Sequence, residues 1–398
     1  MPARMIVFGL VATLVWALLH AWVGWRLLGP ARLPAALAAV AWTLLALDAV
    51  TVPVGMILSF RPEASSQTRA LSWIAYVGMG AFTILWAGVA ARDLCWWLLR
   101  ALDLVAGSIG PNGRFLPSDP AVLVSWLARS GAVVVLLACG TAVAALLGGA
   151  REPRVVEERV ALEGLPAAFE GYRIVQLSDL HIGPTLHEPW LARVVRRVNA
   201  LSPDLVVLTG DLADGRVADL GPSLAPLGDL CAPDGVLAVT GNHEYFHDAE
   251  AWIAFLKGLG IQVLLNEHRV LDKGGERLVV AGVTDVSVGR MLPGHTSDPA
   301  QALAGVPPDA PSVLLAHQPR SFAAAAEAGA DLVLAGHTHG GQFFPWSALI
   351  RLVEPHPRGW YHLNGAALRV SPGTGHWGPP MRLGAPSEVA VLVLERAS

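Results

Sequence analysis

The chain reads as two dissimilar parts, an α-helical transmembrane region of about four helices and then an α/β domain, and three observations predict this. Apolar stretches of bilayer-crossing length crowd the first 150 residues. Charge is segregated: residues 1–150 hold nine arginines, five acids, no lysine and one histidine, His20, while the other 12 of 13 histidines follow. Beyond Tyr172, apolar runs of strand length repeatedly end on an oxygen or nitrogen donor, with helical stretches between them. The expected organisation is a multi-pass membrane region at 1–150, a linker at 151–168 and an α/β domain at 169–398.

In order, the stretches Met5 to Leu28, Ala35 to Phe60 and Ala70 to Ala91 each approach the ~20 residues that span a bilayer, and a fourth runs from about Gly131 to Gly149 behind Arg129. Trp22, Trp25, Trp73, Trp96 and Trp97 fall near their ends, where an indole suits the headgroup layer. Three further spans after the first argue against a cleaved signal peptide. The segment RDLCWWLLRALDLVAG, 92 to 107, carries four charges and is expected to lie in the interface as an amphipathic helix. Arginines do not set the orientation. Arg4, Arg61, Arg69, Arg151, Arg154 and Arg159 balance Arg26, Arg32, Arg92, Arg100, Arg114 and Arg129.

Asp48 lies in the middle of the second span, where an ionisable group is a functional candidate, or is kept protonated or bonded to a neighbouring helix. Cys95, Cys139 and Cys231 are too few and scattered for a disulfide framework or a thiolate metal site. The net charge of −4 leaves −8 for residues 151–398, which argues against a nucleic-acid partner. Residues 151–168 mix charge with Pro and Gly, as a linker with a first edge strand would.

Five runs then define the second part: YRIVQLSDLH to His181, PDLVVLTGD to Asp211, GVLAVTGNHE to Glu244, PSVLLAHQ to Gln318 and ADLVLAGHTH to His339. Continuous apolar runs suit strands buried on both faces. Helical patterns at 188–201 and 248–260 separate them, giving the α/β class. Such sheets collect ligand groups beyond the carboxyl ends of their strands. The ends offer Asp179, His181, Asp211, Asn242, His243, His317, His337 and His339. His337 and His339, two apart, would face one point from an extended segment and share one ion, or, taken alone, form a polar turn after a strand. The whole set exceeds what one tetrahedral ion uses, whereas two ions sharing a carboxylate use it fully.

SDLHIG, GDLADG, GNHE, LAHQP and GHTHGG, in this order, resemble the signature blocks of the calcineurin-like metallophosphoesterases over residues 170–398. The tail GTGHWGPPMRLGAPSEVAVLVL further resembles the membrane-associated bacterial branch that includes cell-wall-associated phosphoesterases, and a related branch contains UDP-2,3-diacylglucosamine pyrophosphatases. The resemblance implies two facing mixed β-sheets flanked by helices. It implies one metal on Asp179, His181 and His339, another on Asn242, His317 and His337, and Asp211 bridging them, so the two neighbouring histidines would serve different ions. It also implies that His243 assists the leaving oxygen and that Asp214 orients His243. The serine/threonine phosphatases of the superfamily carry Arg directly after that Asp, whereas this chain has Gly215 and then Arg216, which counts against a protein-phosphatase substrate.

Outside that set, Asp285 in AGVTD either supports a ligand or makes a turn, and Arg290, Arg320 and Arg382 are either phosphate contacts or solvated surface. His187, His247, His268, His295, His356, His362 and His376 match no ligand position, although His376 lies in the resembling tail. The expected protein is a cell-membrane, multi-pass, metal-dependent phosphoesterase. Its two divalent ions would be Mn, Zn or Fe, its partners the bilayer and a phosphoester, lipid-linked or of the cell envelope. The alternatives are a pyrophosphohydrolase acting on a nucleotide-linked lipid, a metal- or lipid-binding membrane protein without turnover, and a transporter regulated by its soluble domain, which would lean on Asp48.

Overall fold

The computed structural model describes residues 3–59, 66–109, 116–117, 119–289, 292, 294–307 and 309–397. Arg61, Arg114 and Arg290 lie outside them. The chain divides into two compact units, Met1–Leu146 and Leu147–Ser398.

The first unit holds the four long apolar helices, α1 (Ala3–Ala31), α2 (Ala35–Ser59), α3 (Ser66–Ile109) and α4 (Pro120–Gly149), the last running a few residues past the division. Small residues let α2 and α3 approach: a Cβ on Gly55 would stand 2.3 Å from that of Ala75, and Ser72 donates to the Gly55 carbonyl. The interfacial helix expected at 92–107 is absent as a separate element. It is the continuation of α3, whose 44 residues rise ~66 Å, about twice the hydrocarbon thickness. Two causes are visible. No proline interrupts the stretch, and Asp93 is buried between Arg26 of α1 and Arg92, which neutralises its charge. Trp96 and Trp97 are therefore mid-helix.

Asp48 of α2 is bonded to a neighbouring helix: its Oδ2 lies 2.9 Å from His20 Nε2. His20 Nδ1 lies 2.8 Å from the Trp16 carbonyl, which can only accept, so Nδ1 carries a hydrogen. The Nε2–Oδ2 contact gives the Asp48 carboxyl group a polar partner. This satisfies an acid within an apolar helix.

The second unit contains two six-stranded mixed sheets. Its strands are β1 (Arg154–Leu162), β2 (Arg173–Leu177), β3 (Leu205–Thr209), β4 (Val236–Val239), β5 (Gln262–Val263), β6 (Glu267–Lys273), β7 (Glu276–Gly282), β8 (Ser312–Leu315), β9 (Leu332–Ala335), β10 (Gly359–Leu363), β11 (Ala366–Val370) and β12 (Glu388–Arg396). The first sheet runs β1-β12-β2-β3-β4-β5, antiparallel only between β12 and β2. The second runs β10-β11-β9-β8-β7-β6, antiparallel at both outer pairs and parallel within.

Both faces of each sheet are covered, which is why the central strands read as unbroken apolar runs. Ile174, Leu205, Val207 and Leu237 pack against Val280, Val313, Leu315 and Leu334 of the other sheet. Their neighbours Val175, Val206, Leu208 and Ala238 face outward onto α5 (Glu188–Asn199), through Leu191, Val194, Val195 and Val198, whose spacing marks one helical face. The remaining helices used below are α6 (Val217–Leu224), α7 (Asn242–Phe246) and α8 (Ala249–Gly258).

Segment 151–168 contributes a strand to the first sheet. All nine residues of β1 pair with β12, and Val160 and Leu162 enter the inter-sheet core. A fragment beginning at 151 is therefore expected to fold and stay soluble. One beginning at 164 would bare the edge of β12, a template for association, and should elute as aggregate in size-exclusion chromatography. A monomeric, thermally unchanged 164–398 fragment would show that β1 is dispensable.

Candidate metal centre

Parallel strands put their carboxyl ends on one edge, and here both sheets do so toward one place. After β2 come Asp179 and His181; after β3, Asp211; after β4, Asn242 and His243 at the start of α7; after β8, His317; after β9, His337 and His339. Five of these residues hold left-handed backbone: Asp179 at φ 53°, His181 at 47°, Asp211 at 53°, His337 at 73° and His339 at 51°. This region costs a non-glycine residue roughly 1–2 kcal/mol each. Such strain persists where function requires the side chain to be aimed. Intervening glycines make room: a Cβ on Gly241 would stand 2.2 Å from Asp211 Oδ1, and one on Gly336 2.3 Å from Asp179 Oδ2.

The donors fall into overlapping groups, Asp179, His181 and His339; His181, Asp211 and His243; and Asp211, His317 and His337. His317 Nε2 lies 3.1 Å from His337 Nδ1, 3.2 Å from Asn242 Oδ1 and 3.1 Å from Asp211 Oδ2. His181 Nε2 lies 3.1 Å from His339 Nε2 and 3.8 Å from Asp211 Oδ2, and Asp179 Oδ1 stands 3.6 Å from His339 Nε2. These are the separations that ligands take around an ion at ~2.0–2.2 Å.

Hydrogen bonding outside the cluster points lone pairs into it. His317 Nδ1 faces the Thr209 carbonyl at 2.8 Å and His181 Nδ1 faces Asp214 Oδ1 at 2.8 Å. Each Nδ1 then carries the hydrogen and each Nε2 presents a lone pair. Donors this close need a cation between them, a proton such as His317 can carry or a metal ion, and a donor set of this size, with Asp211 common to two of its groups, fits two divalent ions.

Charges follow the same arrangement. Burial, with the neighbouring charge of His317, pushes His337 down to about 3. Burial, with His181 and Arg382 beside it, holds His339 well below the usual histidine range. Both shifts favour the neutral imidazole, the form able to offer a lone pair to a metal ion. Burial opposes the charge on His317, but Asp211 outweighs it and raises that histidine.

Asp214 is shared. Its Oδ1 also lies 2.7 Å from His243 Nδ1, a close contact that is poorly directed, so among the described residues this buried nitrogen has no hydrogen-bond partner. Burial opposes protonation of His243, yet Asp214 together with the charges of Asp211 and Glu244 raises it to about 9. Bound cations act in the opposite sense. If protonated His243 serves the reaction, activity is held below its pKa and lost as pH rises through it. Asp214→Asn should move that alkaline limb of kcat/KM down by about one to three units, the effect of removing an adjacent opposite charge. An unmoved limb would separate His243 from the titration.

Sequence reasoning missed several supports. Glu244 is buried and accepts from the backbone N–H groups of Asp211, Leu212 and Gly241, clamping the loops after β3 and β4. Burial and the charge of Asp211 push it up to about 7, against which these N–H groups favour the carboxylate. Its place in GNHE was the available signal. Arg382 is neither a phosphate contact nor solvated surface: it is 3% exposed, donates to the carbonyls of His339, Pro372, Ala385 and Gly375, and lies 3.2 Å from His339 Nδ1. Asp285 is a support, accepting from Gln318 and Ser287 next to His317. Arg320 is exposed and paired with Glu354. His376 is buried against Thr185.

The calcineurin-like phosphoesterase family model matches residues 172–341, every one of these loops. A "Transmembrane protein with metallophosphoesterase domain" of Bos taurus is 39% identical over 337 residues, 82% of this chain and 74% of its own length. That span exceeds the second unit, so it reaches into the membrane helices. The chain belongs to the calcineurin-like phosphoesterases. A Danio rerio protein of the same description is 37% identical over 305 residues, 74% of this chain and 70% of its own. An uncharacterized metallophosphoesterase of Helicobacter pylori strain J99 is 36% identical over 282 residues, covering 70% and 73%. This metallophosphoesterase is a phosphoester hydrolase with a dinuclear divalent metal centre and a transmembrane helical region.

Proposed function

We propose that residues 1–150 anchor the protein in a membrane while 169–398, completed by β1, hydrolyse a phosphoester presented at the bilayer surface, in a lipid or cell-envelope substrate. In this reading Asp179, His181 and His339 hold one ion, Asn242, His317 and His337 the other, and Asp211 bridges them. Two divalent ions held by these residues would supply activation of water and neutralisation of charge on the phosphoryl group.

The chain's residues do the rest. Water attacks phosphorus in line, releasing one of its protons to solvent, and the P–O bond to the leaving group breaks. His243, protonated through its contacts with Asp214 and Asp211, gives its proton to the departing oxygen. Asp214 holds His181 and His243 together, so the geometry of one metal site and that of the acid are set by one carboxylate.

The observation that carries the lipid reading is the pairing of this cluster with four helices of spanning length, since a soluble ester needs no such anchor. Tethering raises the local concentration of enzyme at a surface substrate without new contacts. The test is a panel on purified full-length protein with Mn or Zn: a soluble nitrophenyl phosphodiester, a phosphomonoester, a lipid phosphate in vesicles and a nucleotide-linked lipid. The embedded phosphoester should be hydrolysed preferentially. Preference for the soluble esters would leave the helices as localisation alone, and preference for the nucleotide-linked lipid would make the enzyme a pyrophosphohydrolase.

A further inference from the structure

The sequence GQFFPWSALIRLVEPH follows directly on the two histidines of GHTH, and it is unusually bare. Among the described residues of 148–398, ten large apolar side chains are exposed, and five lie within 344–353: Phe344, Trp346, Leu349, Leu352 and Val353. Leu352 is 80% and Val353 74% exposed. Trp346–Leu349 is a helical turn continued by a 3-10 turn at Ile350–Leu352, so the spacing 346, 349, 352 and 353 gathers them on one side. The only acid in the segment, Glu354, is buried and paired with Arg320, while Arg351 is exposed. An apolar centre with a tryptophan and an exposed arginine, Arg351, among its residues suits a surface that seats in anionic lipid.

The patch is joined to the metal centre. A Cβ on Gly341 would stand 2.4 Å from the Trp346 carbonyl, so the segment lies hard against the loop bearing His339. Gln342 donates to the carbonyls of Trp377 and Pro379 and accepts from the Trp377 N–H, and Trp377, half exposed, meets the His243 ring edge-on at 5.8 Å. The chain also ties this unit closely to a spanning helix. Only four residues separate α4, ending at Gly149, from β1, starting at Arg154, a span of at most ~18 Å.

We infer that residues 344–353 are a membrane-seating surface, entering the headgroup and upper acyl layer so that the metal centre opens onto the bilayer. The occupant is the lipid surface itself. The inference is compatible with the lipid-substrate reading, but it concerns docking and stands or falls separately.

The test uses full-length protein in anionic phospholipid vesicles, with Cys95, Cys139 and Cys231 changed to Ser and Leu352→Cys carrying an environment-sensitive fluorophore. Emission should shift to the blue and be quenched by lipids brominated high in the acyl chain. The paired change Leu352→Glu with Val353→Glu should lower hydrolysis of an embedded phosphoester at least ~10-fold, part of the gain that surface tethering supplies, and leave the soluble nitrophenyl diester unchanged. A water-like spectrum overturns the inference, as does a blue spectrum that brominated lipid fails to quench, which would place protein over the patch. A quenched probe with no hydrolysis of any embedded ester supports the seating surface and overturns the lipid-substrate reading.

Discussion

Asp211→Asn is expected to lower hydrolysis by roughly 10³-fold, since the metals supply several kcal/mol and each ~1.4 kcal/mol is a factor of ten. The change is almost isosteric, so its effect is chemical. Asp211 Oδ1 accepts the backbone N–H of His243 at 2.9 Å, which fixes the orientation of the side chain. An asparagine that keeps this bond turns its NH₂ to the place of Oδ2, which now faces His317 at 3.1 Å, His181 at 3.8 Å and His243 at 3.9 Å. Hydrogens then point where, in the proposed arrangement, two ions would share a negative ligand. Metal analysis should show the loss of at least one of two ions per chain, together with the activity. Two retained ions and an undiminished rate would remove Asp211 from the bridge.

His243→Ala should cost roughly 10²- to 10⁴-fold in rate, the range of general acid help, with both metals retained. The measurement has to include metal content, because His243 also falls in one of the three donor groups, with His181 and Asp211. If it acts on the leaving oxygen, the deficit shrinks as that oxygen becomes a better leaving group, and nitrophenyl esters should be the least affected. A deficit independent of leaving-group acidity, accompanied by loss of an ion, would make His243 a ligand.

The central strands and the donors at their ends were legible because they are local facts. A strand buried on both faces must be apolar throughout, and a polar residue ending it is visible in one dimension. The four helices were legible for the same reason, since spanning a bilayer demands length and hydropathy and little else. That 92–107 continues α3 rather than forming a helix of its own was not legible, because Arg26, 67 residues away, pairs with Asp93. His20 and Asp48 were likewise seen singly, though each is the other's partner across 28 residues.

By itself, the sequence determined which residue types end each central strand and therefore that a cluster of nitrogen and oxygen donors, with no thiol among them, forms at one edge. The tertiary structure decided which of these donors meet. It set His317 against Asn242, His337 and Asp211, and His181 against His339, by bringing strand ends from two separate sheets together. It also decided the supports: that Arg382 is buried behind His339, that Asp214 divides its carboxylate between two imidazoles, and that Glu244 clamps two loops through backbone N–H groups. The physical reason is that apolar periodicity depends on a residue's own segment. A buried charge is settled by whatever partner the fold delivers from far along the chain.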